Sequence, residues 1–599
     1  MSDTFDFIVV GGGSAGAVIA ARLSEDANCL VALIEAGERP PDVEQMPVAC
    51  SAMQLNPATD WMYTADPGKA GLGLHRRRMP VPRGKMLGGS SGLNYMAYVR
   101  GHPGDFDSWA AGGATGWSYA DVLPYFRKSE GLCPCDSIAI DAQAHNADGP
   151  LGVSVRSPIL PGASEFVDAA VAAGIPRGDY NGRDRGGASG VASLFQTTTK
   201  KGKRSSTYRA FLEGEVEKRS NLTILTGAHA TRILLDGTTA KGVEYRTAAG
   251  LKTVRANKEV ILSGGAVGSP HLLMLSGIGP RPELEAVGVP CIVDSPHVGK
   301  HLKDHLQAAL FFHAPGVGVP IVEVALSMGP DALPPAMESL KEEAQRRLIE
   351  WATTGNSLAS SSLYDAGVWF STGLGDTHSH DAQIACFLSG YTPELWSACL
   401  NVDLAQYFDD AATQLAPDKE SIIILANPVL PHSEGEIVLE SADPAVHPAI
   451  RMNYYADPHD VKVMVAVMRR ALEIVANWPS HRKLGPMHVP PVIAKKHSYT
   501  EGEPLTDDLL ADMAMHFSIT VYHLVSTCRI GSVVDSRLRV MGVNNLRVAD
   551  ASIMPNIVSG NTNAASIMIG EKAAEMIATD HGVKLAEFVG RALSLQPPL

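Results

Sequence analysis

A chain of 599 residues exceeds what one hydrophobic core usually serves, so two domains sharing a cleft are expected. With 45% hydrophobic and 19% charged residues it reads as globular, and its net charge of -14 argues against nucleic acid or an anionic membrane as the main partner, since either needs a basic face. No run reaches the ~20 apolar residues of a membrane span, and no basic segment precedes an apolar signal region, so the expected location is cytoplasmic. The eight cysteines show no paired framework and read as reduced thiols. Cys133-Pro134-Cys135 reads as a loop, because no second Cys/His cluster accompanies it, and no metal site is expected.

The stretch Phe5 to Glu38 is a complete nucleotide-binding βαβ unit. Phe7 to Val10 has strand length, and Gly11, Gly13 and Gly16 follow in G-x-G-x-x-G spacing where that strand must turn into a helix. Gly11 permits the turn, Gly13 lets backbone approach a pyrophosphate, and Gly16 lets the helix pack close. The helix, from about Ala15 to Ser24, directs its unpaired N–H groups at the phosphates. A second strand, Leu30 to Ile34, ends in Glu35, placed to accept from both ribose hydroxyls. The unit predicts a dinucleotide and leaves FAD or NAD open.

Arg39 to Asp66 reads as irregular connection. Arg83 to Tyr95 is basic, then rich in Gly, Ser and Asn, a loop whose backbone donors can contact a planar or anionic group. The run Thr199 to Thr207 reads as a solvated basic loop. Leu222–Leu225, Ala230–Leu235, Val243–Tyr245 and Glu259–Leu262 read as strands. Beyond Gly316 the pattern changes: Met337, Leu340, Ala344, Leu348 and Trp351 recur at helical spacing after Pro334 and Pro335, reading as core. Around them lie Tyr364, Trp369, Phe370, Tyr391, Trp396, Tyr407 and Phe408, candidates for a pocket entrance. Ser421–Leu425 and Glu436–Leu439 read as strands joined through a Pro/Gly turn. Asp457 caps a helix whose stripe is Val461, Met464, Val465, Met468, Leu472 and Val475. A last helix runs from about Ala564 to Asp580 and stops at Gly582. His102, His145, His301, His432 and His447 read as surface or hydrogen-bonded structural residues.

Several segments resemble the glucose-methanol-choline oxidoreductases, an FAD-dependent family. Pro82 to Gly101 (PRGKMLGGSSGLNYMAYVRG) is similar to its first signature and Gly264 to Gly279 (GGAVGSPHLLMLSGIG) to its second. The likeness continues through Gly299–His305, Pro431–Pro444 and Asn545–Ala564, and is weakest between about Gly316 and Lys419. It implies an α/β fold: a Rossmann-like FAD-binding domain of discontinuous segments (1–157, 221–315, 524–583), a substrate-binding domain with a mixed or antiparallel sheet covered by helices (158–220, 316–523), and a tail, 584–599.

The resemblance also implies a site. His523, in Val521 to Cys528, matches the histidine that faces the flavin, and Asn561 the second active-site position, occupied by His or Asn. An imidazole suits the hydroxyl proton, while an amide can hold a developing alkoxide without competing for that proton. FAD is expected on Gly11, Gly13, Ser14, Ala15, Gly16, Glu35, Ala36, Arg83, Leu87, Gly88, Ser91, Asn94, Tyr95, Met96, Ala97, Ala230, Tyr522, Asp550, Ala551, Asn561 and Thr562. It is expected to be non-covalent, because Leu93 stands where flavinylated members carry histidine. Where the family reads His-Pro-x-Gly-Thr, this chain has Leu524 and Ser526, which puts the local backbone geometry in question. The expected reaction is oxidation of an alcohol, first of all a primary one with an aromatic or alkyl body, to the aldehyde. Hydride goes to flavin N5, His523 is the base, and oxygen, a quinone or another carrier reoxidises the flavin. A lyase or photodecarboxylase on the same scaffold, and a flavin-stabilised binding protein, are the competing readings.

Overall fold

The computed structural model of this chain describes residues 3–588, apart from 134, 136, 334, 376–378, 390–399, 408–419 and 480–483. Thr4–Val10 is buried at every position from Phe7 onward, as befits a strand covered on both faces. It lies parallel to Val31–Ile34 on one side and to Gly250–Leu262 on the other. The helix Gly16–Leu23 makes the crossover. Leu222–Leu225 adds to the outer edge of Val31–Ile34, and Leu546–Val548 pairs with Gly250–Leu262. The antiparallel strands Thr239–Thr247 and His229–Asp236 complete a seven-stranded mixed sheet. The helix Thr562–His581 packs on Gly16–Leu23 so closely that a Cβ on Gly570 would come 2.7 Å from the Ala15 carbonyl oxygen. It ends where Gly582 takes a positive φ.

A second, six-stranded sheet is antiparallel throughout, in the order Ile519–Thr520, Leu306–His313, Ser421–Pro428, Ala382–Phe387, Tyr364–Phe370, Val191–Leu194. Leu306–His313 thus lies in this sheet, although it falls in the interval 221–315 assigned from sequence to the flavin domain. The helices Pro161–Ala172 and Pro458–Ala476 pack against its strands. Asp457 caps the latter by accepting from the His459 N–H at 2.8 Å. Its buried face is Val463, Met464, Val467, Met468, Ala471 and Ile474. The expected stripe is therefore rotated: Val461, Val465, Leu472 and Val475 are half-buried at its flanks, because the helix packs against the helices Pro161–Ala172 and Asp507–Phe517 as well as the sheet.

Other expectations are corrected similarly. Ser421–Pro428 and Glu436–Val438 form no hairpin, for the latter pairs with Ala449–Tyr454 in a four-stranded sheet completed by Tyr63–Gly68 and Met79–Val81. The strand at Tyr63 and the short helices Asp42–Gln45 and Cys50–Met53 show Arg39–Asp66 to be structured. Within the helix Lys341–Thr354, Ala344 and Trp351 are buried, but Trp351 serves a small satellite cluster with Met46, Val48, Ala49 and Ala359. His145, by contrast, is a hydrogen-bonded structural residue as expected, fully buried between Glu130 and Asp179 and beside Arg100. Among the described residues no helix is long and apolar enough to cross a membrane.

Candidate active site

A cavity of about 320 Å³ is lined by both large sheets. On the nucleotide side it starts at the turn after Thr4–Val10. Gly11 adopts φ +100°, and a Cβ on Gly16 would fall 1.9 Å from the Gly11 carbonyl oxygen, so only glycine allows that helix to start there. Glu35 closes Val31–Ile34 and accepts from the N–H groups of Gly12 (2.8 Å) and Gly37 (2.9 Å). Burial pushes its carboxyl up to about 7 against those donors. Asp550 takes the Ser269 hydroxyl at 2.5 Å and the Gly265 N–H at 2.8 Å, tying the second signature to the C-terminal segment. A glycine cradle, a buried carboxylate at the ribose position and a long cleft between sheets fit a dinucleotide.

Gly11, Gly13, Ser14, Ala15, Glu35, Ala36, Arg83, Asn94, Tyr95, Met96, Ala97, Ala230, Tyr522, His523, Asp550, Ala551, Asn561 and Thr562 all line this cavity. Gly16, Leu87, Gly88 and Ser91 do not. Gly16 and Leu87 pack beneath it, and Ser91 turns its hydroxyl to the Gly88 carbonyl (2.6 Å) and to Thr207 (3.0 Å). Gly89, Ser90 and Leu93 of the same loop reach the cavity instead. The loop is held from behind by Arg204, whose Nη1 donates to the carbonyls of Ser91 (3.1 Å) and Asn94 (2.7 Å) and to Asn94 Oδ1 (2.9 Å). Arg204 is buried, so the expected solvated loop is corrected: one cation of the run supports the floor of the site.

His523 and Asn561 meet, with Asn561 Nδ2 3.3 Å from His523 Nε2. On the other edge of the ring, His523 Nδ1 is 2.8 Å from Nδ1 of His305, whose Nε2 faces the Val429 carbonyl at 2.9 Å. A carbonyl only accepts, so His305 carries its hydrogen on Nε2 and, while neutral, accepts at Nδ1. His523 must then donate from Nδ1, which leaves Nε2 as a bare lone pair pointing at Asn561. Burial pushes His305 down to about 4. It pushes His523 well below the ordinary imidazole value too, helped by His305 and the Arg83 guanidinium.

Asp304 fixes the backbone here: it accepts from the His523 N–H at 2.6 Å, from Thr520 at 2.5 Å and from the Tyr454 hydroxyl. Burial raises its carboxyl to about 6. The Arg83 guanidinium donates to the Tyr522 carbonyl, next to His523. His305 and Asp304 stood in the quoted segment Gly299–His305, yet only folding shows that they meet a residue over two hundred positions away.

Toward the second sheet the lining is apolar apart from the Gln307 amide: Tyr364, Phe387, Leu400, Ile423, Leu425 and Ile519. Of the aromatic candidates, Tyr364 is there. Trp369 and Phe370 are buried in the same strand without lining the cavity, and Tyr407 packs against Phe311 and Phe517. Tyr391, Trp396 and Phe408 lie outside the described residues. His447, read as a surface or structural histidine, lines the cavity beside Tyr63, with ring centroids 4.6 Å apart.

The family model described as GMC oxidoreductase matches residues 5–307 with its N-terminal part and 431–570 with its C-terminal part. The chain is 35% identical over 584 residues to the alcohol dehydrogenase (acceptor) of Pseudomonas putida, covering 96% of this chain and 95% of that protein. It is 36% identical over 592 residues to the oxygen-dependent choline dehydrogenase of Yersinia pseudotuberculosis, covering 96% and 93%. Among solved structures, pyridoxine 4-oxidase from Mesorbium loti superposes with a TM-score of 0.74 at 28% identity over 95% of this chain and 98% of that one.

Proposed function

The chain belongs to the GMC oxidoreductase family and is an FAD-dependent enzyme of alcohol oxidation, and on that premise we propose that His523 accepts the hydroxyl proton while Asn561 holds the developing alkoxide. The observation that carries this reading is the lone pair at His523 Nε2, fixed by the chain Val429, His305, His523 and aimed at the Asn561 amide. A hydroxyl placed between the two can give its proton to Nε2 while its oxygen accepts from Asn561 Nδ2. FAD, when bound, supplies the acceptor for the hydride that leaves the carbinol carbon with its electron pair.

Arg83 and Asp304 hold the carbonyl and the N–H of the one peptide group that precedes His523, which fixes where its ring starts. Leu93 on the cavity wall has no atom that could bond the flavin, so the cofactor is held without a covalent link at this position. Unfolding the protein and filtering it should release all of the flavin. The apolar strand residues opposite favour alkyl or aryl alcohols.

The test is anaerobic reduction of the enzyme by an alcohol, followed by the loss of flavin absorbance. His523→Ala should slow it by ~10² to 10⁴, the usual worth of general-base assistance, and abolish the rise of rate with pH. Asn561→Ala should also be slow but keep that rise. A His523→Ala enzyme with an unaltered pH profile would move the base elsewhere.

A further inference from the structure

Two amides are buried in the apolar second sheet. Gln383 and Asn427 are direct cross-strand partners on Ala382–Phe387 and Ser421–Pro428, each almost fully buried. Side chains alternate along a strand, so Gln383 shares a face with Phe387, and Asn427 with Ile423 and Leu425, the face that looks into the cavity. Neither amide reaches the cavity itself. They stand behind Asn561: Gln383 Nε2 lies 3.5 Å from Asn561 Oδ1, and Asn427 Nδ2 lies 3.2 Å from Gln383 Oε1.

Together with the histidines they form one chain, Val429 carbonyl, His305, His523, Asn561, Gln383, Asn427, which ends against the Pro428 and Leu306 carbonyls. Both ends only accept. Each neutral imidazole or amide in the line donates on one side and accepts on the other, so the neutral chain is one donor short wherever its amides point. With Asn427 donating to Gln383, its oxygen faces the carbonyl oxygens of Pro428 (2.9 Å) and Leu306 (3.2 Å) with no hydrogen between. Turned by half a revolution, it donates to both carbonyls, but then its oxygen faces that of Gln383. One added proton resolves this. If His523 also carries hydrogen on Nε2, the three amides can all turn: Asn561 accepts from His523 and donates to Gln383, Gln383 donates to Asn427, and Asn427 donates to the two carbonyls. Every contact then has its hydrogen. The longest contacts, 3.3 and 3.5 Å, flank Asn561, where the alcohol oxygen must enter.

We propose that Gln383 and Asn427 are positioning residues of this reaction: their amides turn with that of Asn561, which presents its NH2 group to the alkoxide while the substrate is held and its oxygen to His523 once the aldehyde has left and His523 still holds the proton. This rests on the assignment of His523 as base. The proton lost when the hydroxyl O–H bond breaks is thereby kept in a buried site that otherwise disfavours it. The other charged or titratable groups around His523 are His305, Asp304 and Arg83, and none of them reorients in the step.

The rate of anaerobic flavin reduction against pH tests it. Gln383→Met, which fills the space without bonding, should move the rise in rate to lower pH by about one unit and slow reduction about tenfold at neutral pH, the worth of one buried hydrogen bond. Asn427→Leu, which removes the far end of the line and leaves Gln383 in place, should also move the rise to lower pH, and neither variant adds a charge that would act on His523 through space. Shifts to lower pH in both support the relay, since packing loosened enough to admit water would relieve the burial of His523 and move the rise to higher pH instead. A shift to higher pH, or none, in either variant overturns it, provided His523→Ala abolishes the rise. If His523→Ala leaves the rise in place, the base assignment itself has failed. Should the variants not fold, neutron diffraction of the unaltered holoenzyme above and below the transition decides: all three amides reversed supports the relay, and one orientation at both pH values overturns it.

Discussion

Ser526 adopts φ +74°, the left-handed region where a side chain costs roughly 1–2 kcal/mol, and its buried hydroxyl has no hydrogen-bond partner among the described residues. The turn beside His523 therefore keeps the glycine-like backbone of the family motif while carrying a serine. Ser526→Gly should raise stability to denaturant by about 1 kcal/mol, relief of strain outweighing the added freedom of the unfolded chain. Ser526→Ala, which removes only the hydroxyl, should gain less. His271 gives a second prediction. Burial, then His229 and His447, pushes it down to about 4, and its Nε2 is unpartnered among the described residues. Its folded value is depressed, so its contribution is present above the unfolded value of ~6.5 and lost as pH falls from there toward about 4. At pH 5 the loss is about 2 kcal/mol. Urea unfolding of His271→Gln at pH 5 and 7.5 should show that much less acid sensitivity than the parent.

The loop Gly88 to Asn94 is a glycine-rich segment, and Arg204 Nη1 holds it from behind through the carbonyls of Ser91 and Asn94 and the Asn94 amide oxygen. Arg204→Lys replaces a planar fork by a point charge and should weaken FAD binding about tenfold or more, read by titrating flavin fluorescence. That dependence was hidden in the sequence, where the cation stands in a run of lysines and only folding buries it. The same limit separates legible elements from illegible ones. The βαβ unit from Phe5 to Glu38 is readable because its chemistry is local: a strand, three glycines and an acidic terminus at set spacing. The cap at Asp457 and the stop at Gly582 are local too. The rotated stripe of Pro458–Ala476, the split of Ser421–Pro428 from Glu436–Val438, and the partners His305, Asp304, Gln383 and Asn427 depend on which distant segment folds alongside. No period or motif encodes that.

At the scale of the whole molecule, the cofactor-side wall carries the polar and charged groups and the opposite wall carries almost none. Among the described lining residues the carboxylates are Glu35 and Asp550, both on the nucleotide side and both engaged by backbone N–H donors. The second sheet contributes Tyr364, Phe387, Ile423, Leu425, Ile519 and a single amide, Gln307, so a cationic alcohol such as choline would meet mainly aromatic and aliphatic surface with no described carboxylate beside it. A sugar would leave there the hydroxyl groups that the Gln307 amide does not reach unpaired, each costing about 1–3 kcal/mol. An alkyl chain, by contrast, gains about 0.8 kcal/mol for each methylene it buries, or roughly fourfold in kcat/KM. Primary alcohols lengthened from three to about eight carbons should therefore rise in kcat/KM by about that factor per carbon until the wall is covered. Leu425→Ala should flatten the series by removing the surface the chain lies on, leaving the shortest alcohols little changed. A series that is flat in the parent enzyme, or choline exceeding the best alkyl alcohol, would place the substrate against a different wall and return Tyr364, Phe387 and Leu425 to a purely structural role.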